Sequence, residues 1–217
     1  MKGLLIKDLK LMKNMRNTLI IIAIVALGMS FYTSDMSFIV VYLVVISTSF
    51  TSSTISYDEF ENGNAFLFSL PVSRRDYAVE KHLFSLLMCG GGWLAGSVLT
   101  VCGGVFRDGL DPAESVMAAL VLLPVAIGLS SFMIPVHLKY SGEKGRIVMI
   151  ILMGGVFLIV VSGAKIAEKL GIDFRELGER MPVMSDGMGL AAALGISLAL
   201  LLVSCKISIR IMEHKEF

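Results

Sequence analysis

Six apolar runs decide what this chain can become: roughly 18–34, 37–56, 83–105, 113–136, 147–165 and 189–205. A helix needs about 20 apolar residues to cross the hydrocarbon of a bilayer, because backbone polar groups there find no water and must pair within the segment. Several runs approach that length, while the first and last are short and must extend into the interfaces. Of the 217 residues, 55% are hydrophobic, too many for one soluble domain. The expected fold is all-α: a polytopic membrane protein with six transmembrane helices, forming one domain over residues 1–217. The net charge of +1 gives no basis for binding nucleic acid.

Local signals divide the runs. Residues 34–36 leave room only for a tight turn, so the first two spans form a helical hairpin. Asp111-Pro112-Ala113-Glu114 has an N-cap Asp, Pro at the first helical position and Glu at the third, and it opens the fourth span. Pro124 should kink that span and Pro135 disturbs its end, before Ser141-Gly142 stops it. Residues 1–16 make an amphipathic helix, with Met1, Leu4, Leu5, Leu9, Leu11, Met12 and Met15 on a broad apolar face and Lys2, Lys7, Lys10 and Lys13 on the other. Such a helix lies in the membrane interface with its lysines toward anionic lipid. Asp8 projects from the middle of the apolar face. An acid there needs a partner, for which Arg74 or Arg75 is available, unless the helix is rotated so that Asp8 reaches water.

The polar stretch 57–82 reads YDEFENGNAFLFSLPVSRRDYAVEKH. It carries the acids Asp58, Glu59 and Glu61, then an apolar knot of Phe66, Leu67, Phe68 and Leu70, then Pro71 and the basic pair Arg74 and Arg75. Ser73 with Asp76 three residues on marks a helix start, so Pro71-Val72 is a corner between two helices. Phe66, Phe68 and Leu70 then sit on a short element outside the membrane. A cluster that apolar docks into another protein, or else packs on its own bundle or dips into lipid headgroups.

Basic residues give the orientation. With a cytosolic N-terminus, 14 of the 19 Lys and Arg fall in inner segments, and four of the outer ones lie in 165–188 among five acids. N-terminus and C-terminus inside is the expected topology. In the outer segment 165–188, Leu170, Phe174, Leu177 and Met181 recur at helical spacing, and Asp173 with Glu176 can cap a helix after Gly171. Two short helices on or in the outer leaflet are expected there, with a solvated amphipathic connector as the alternative.

No GxxxxGK[ST], HExxH or GxSxG motif is present. Cys89, Cys102 and Cys205 lie in apolar runs and read as isolated buried thiols, and the basic N-terminus is expected to remain uncleaved. None of the runs has a charge at its centre, which argues against an ion-driven carrier. A mover without an energy source of its own must borrow one. The second span is dense in hydroxyls around the helix, among them Ser49, Ser52, Ser53 and Ser56. These either line the inner entrance of a translocation path or bond back to the backbone and glue helices together. Gly92 and Gly96 have GxxxG spacing beside Trp93, suited to close packing within the chain or to a dimer seam.

The acid-rich segment, SLPVSRR and the helix that follows, together with the N-terminal MKGLLIKDLK and the spacing of the runs, resemble the permeases of ABC-2 type ATP-binding-cassette exporters. The likeness extends to small bacterial members such as exporters of peptide toxins and phenol-soluble modulins. It implies that 57–82 holds a coupling helix fitting a groove on an ATPase, through Glu61, Phe66, Leu67, Phe68, Leu70, Pro71, Arg74 and Arg75. It implies that the 165–188 helices close an outer gate. It also implies a second permease copy or related chain, ATP and Mg held by the ATPase and not by this chain, and a place in the bacterial plasma membrane. A non-transporting immunity or sensor subunit that binds an ATPase is the rival role.

Overall fold

The computed structural model describes residues 2–32, 37–60, 63–106, 112–140, 186–215 and part of 144–165. Its elements are α1 (Lys2–Asn14), α2 (Arg16–Tyr32), α3 (Ser37–Glu59), α4 (Gly63–Ser69), α5 (Arg74–Phe106), α6 (Pro112–Lys139) and α7 (Asp186–His214). The described residues between 144 and 165 are also helical, and no strand occurs among the described residues. Four helices, α3, α5, α6 and α7, are long and apolar enough to cross a membrane. The α1–α2 pair, bent by 66°, makes a fifth when counted as one span. The turn at 34–36, Asp111, Ser141-Gly142, Glu61 and the outer segment with Leu170, Phe174, Leu177 and Met181 lie outside the described residues.

The spans run past their apolar runs into flanking polar sequence. α7 has 29 residues, about 43 Å at 1.5 Å per residue, which supplies the interfacial extension its short apolar run requires. It turns Ile196, Val203 and Ile207 outward, a face suited to lipid. α6 begins at Pro112, where the missing N–H costs no hydrogen bond, and continues through Pro124 and Pro135. Pro135 cannot donate to the Ser131 carbonyl one turn back. The Ser204 hydroxyl of α7 donates to that carbonyl instead, so the proline's defect becomes a tie between two helices. His82 of α5 meets the same hydroxyl, 3.1 Å from Nε2.

Gly92 and Gly96 face α3. A Cβ on Gly92 would lie 2.3 Å from Ser47 Oγ, and one on Gly96 would lie 2.8 Å from Val40 Cα. The GxxxG pair therefore serves packing within the chain, α5 against α3. Trp93 beside it donates from Nε1 to the Ala119 carbonyl at 2.7 Å, joining α5 to α6.

Burial falls into clusters. Ala26, Ile39 and Leu43 form one, and Val40, Val44, Cys89 and Ala126, on a different face of α3 at the same height, form another. The largest cluster, at the end of the bundle that carries α1 and α4, includes Leu4, Ile55, Leu67, Tyr77, Leu138 and Met212. Each of those six side chains comes from a different helix, so the functional segments stand on a shared core.

Candidate functional site

The corner of the 57–82 stretch forms as its residues dictate. α4 ends at Ser69, α5 begins at Arg74, and the Ser73 hydroxyl accepts from the Asp76 N–H at 3.0 Å, satisfying an orphan donor of the first turn. Pro71 is exposed at the corner. The apolar knot divides in two. Leu67 is buried, and Phe68 packs against the core with its ring edge-on to Tyr77 at 5.6 Å. Phe66 is 71% exposed and Leu70 is 44% exposed. Tyr57 and Phe60, at the end of α3, are also exposed apolar groups at this end.

The two arginines differ as well. Arg75 is exposed. Arg74 Nη1 donates to the carbonyls of Met212, Glu213 and Lys215 at 3.3, 3.0 and 2.8 Å. The last carbonyls of a helix lack partners, and a cation there also meets the negative end of the helix dipole. Arg74 thus clamps the corner to the end of α7, and its guanidinium lies 6.0 Å from the Phe68 ring centroid.

Asp8 is fully buried and its partner is Lys81, not Arg74 or Arg75. The apolar face of α1 does turn inward at Leu4 and Asp8, so the acid goes in with the face that carries it. Leu9, expected on that face, is exposed. Lys81 Nζ, itself fully buried, bonds to Asp8 Oδ2, to Thr54 Oγ1 at 3.1 Å and lies 2.9 Å from Asp58 Oδ2. Three acceptors match the three protons of an ammonium group. Lys7 bonds to Asp58 Oδ1 and lies 3.2 Å from Asp8 Oδ1, and the Tyr77 hydroxyl donates to Asp58 at 3.1 Å. Glu80 is buried as well, 3.9 Å from Lys81, and neither of its oxygens has a hydrogen-bond partner among the described residues. Three carboxylates thus face two ammonium groups, and Glu80 is the one without a bonded cation. A second pair, Lys215 to Glu59 at 2.8 Å, joins the C-terminal end to α3. Pairing makes burial of these charges tolerable and makes each partner costly to remove.

Lys81 was legible in principle. It shares the inward face of α5 with Tyr77 and Phe84 at helical spacing, as Asp8 shares the apolar face of α1. A lone base and a lone acid, each on an apolar face, are candidates for one another. No local spacing links residues 8, 58 and 81.

The hydroxyls of α3 sort by face. Thr48, Thr51 and Thr54 are buried. Ser49, Ser52, Ser53 and Ser56 together line a cleft of about 350 Å³, closed on its other side by Met133, His137 and Ile150. Ser53 and Ser56 also border a second cleft of about 280 Å³ with Met15, Tyr57 and Phe60. Ser49, Ser53 and Ser56 donate to carbonyls one turn back, which leaves their oxygens facing the cleft as acceptors.

A bundle whose helices are long enough to span a bilayer, ending in a corner with an exposed aromatic on a buried ionic lattice, defines a multi-pass membrane protein. Residues 3–213 match the family model described as ABC-2 family transporter protein, and the chain belongs to that family. No curated protein and no solved structure shows a significant match to it. Membership makes the chain a transmembrane permease without catalytic machinery of its own, in a family that generally works with an ATPase subunit.

Proposed function

We propose that this chain is the permease subunit of an ATP-driven exporter, with six spans, both termini in the cytosol, and a second copy or related chain completing the path. The ATPase, which binds ATP and Mg, docks on α4 and its corner. The division of the knot carries this reading. Leu67 and Phe68 root α4 in the core, whereas Phe66 and Leu70 stand outward at the same place. Force applied to such a helix passes to α1 and α3 through Lys7, Asp58 and Lys81, and to α7 through Arg74. The serine cleft supports an amphipathic cargo, peptide favoured: one wall offers hydroxyl acceptors, and Met133 and Ile150 offer an apolar one. The outer-segment residues Leu170, Phe174, Leu177 and Met181 serve as the outer gate in this reading.

ATP-dependent uptake of a labelled amphipathic peptide into inverted membrane vesicles holding the permease and its ATPase tests the proposal. Uptake is expected for the wild type and is lost in Ser53→Phe, which fills the cleft, while the ATPase stays bound. An ATPase that binds with no uptake under any condition would favour a sensor role instead.

A further inference from the structure

At the same end of the bundle, the last turns of α6 and α7 enclose a groove of about 600 Å³. Its walls are apolar: Pro135 and Val136 from α6, Ile207 and Ile211 from α7. Its rim, one turn further along both helices, is made by Lys139, Tyr140 and His214 with Lys215. Ile207, Ile211 and His214 follow one another at i, i+4 and i+7, so a single helix face passes from apolar to polar toward the membrane end.

The rim groups differ in what they already do. Lys215 is engaged by Glu59 and by the Leu138 carbonyl, both at 2.8 Å. Lys139 is exposed, with Nζ 5.4 Å from the centroid of the Tyr140 ring. His214 Nδ1 donates to the Arg210 carbonyl at 2.9 Å, which fixes the ring against its own helix. None of the described lining residues is acidic.

An apolar slot between spans, topped by cations at the depth where a span ends, has the chemistry of an anionic lipid: hydrocarbon below, phosphate above. Basic pockets between transmembrane helices hold such headgroups. The same groove on a second copy would present a like-charged rim, which disfavours a symmetric self-contact. We infer that the α6–α7 groove binds one anionic phospholipid, its acyl chains against Val136, Ile207 and Ile211 and its phosphate at Lys139. The leaflet is the cytosolic one under the proposed orientation; the binding itself does not depend on that orientation.

Native mass spectrometry of the full chain tests this, with phosphatidylglycerol and phosphatidylcholine of identical acyl chains as probes. The phosphatidylglycerol complex is expected to dominate. Lys139→Gln lowers its binding constant about five-fold, the attraction of one basic residue, and lowers that of zwitterionic phosphatidylcholine less. Val136→Phe, which fills the groove, lowers both. Glycerol phosphate, a headgroup without acyl chains, does not compete at millimolar concentration. Equal retention of the two lipids, an unchanged phosphatidylglycerol constant in Lys139→Gln, or displacement by glycerol phosphate would overturn the inference, the last by showing a site for free phosphate. A cross-link between groove residues of two copies would overturn it as well. Adducts are counted without ATPase or cargo, so failure here is distinct from failure of the permease assignment.

Discussion

Lys81 ties three helices together from inside the bundle. It is fully buried and touches carboxylates from α1 and α3. Replacing it by Met keeps the length and leaves Asp8 and Asp58 short of positive charge, a change that costs about 3–5 kcal/mol when a buried pair is broken. A marked fall in the thermal midpoint in detergent is expected. Glu80→Gln should have no such effect, because both Glu80 oxygens lack bonded partners and three acids already exceed two bases. A Glu80→Gln protein as damaged as Lys81→Met would contradict the charge count. A double-mutant cycle between Asp8→Asn and Lys81→Met is expected to show coupling, since the two share one ion pair.

At the scale of elements, α3 and α5 meet through missing side chains. Gly92→Val would drive a branched group into Ser47 and the Leu43 carbonyl, 2.3 and 2.8 Å from a Cβ. Overpacking of this kind costs about 1–3 kcal/mol. Gly91→Ala meets nothing within 4 Å and should be neutral or slightly stabilising, since Ala favours helix over Gly by about 1 kcal/mol. Unfolding of both variants in one detergent checks the contrast, and equal stability of the two would exclude this contact. The described helices, the Ser73 cap and the Pro71-Val72 corner were legible because each rests on residues within one turn of each other. The glycine pair was legible as a close contact, but its partner Val40 lies more than fifty positions away in sequence. The split of the knot was not legible, because Phe66 and Phe68 are alike as residues. Which of them points inward depends on where Tyr77 stands, and only the fold decides that.

At the scale of the whole molecule, length and apolarity carried the all-helical membrane fold, and the family match spans nearly the entire chain. The ionic lattice escaped because its members meet through tertiary packing of α1, α3 and α5. The proposed orientation places 165–188 outside and 57–82 inside. In a cysteine-free background, Glu176→Cys should react with an impermeant thiol reagent on intact cells and Glu61→Cys should not; the reverse pattern would invert the topology.

In the proposed function, α4 transmits force from an ATPase through its outward side chains while its inward ones hold it to the bundle. Phe66→Ala with Leu70→Ala and Phe68→Ala alone therefore act differently. Co-purification of the ATPase, read beside the permease's own thermal midpoint, measures the difference. Loss of a buried interface aromatic costs about 2 kcal/mol or more, about 30-fold in affinity. The Phe66/Leu70 variant is expected to release the ATPase at an unchanged midpoint, and Phe68→Ala to lower the midpoint. A Phe66/Leu70 variant that holds its ATPase and exports at the wild-type rate would contradict the account.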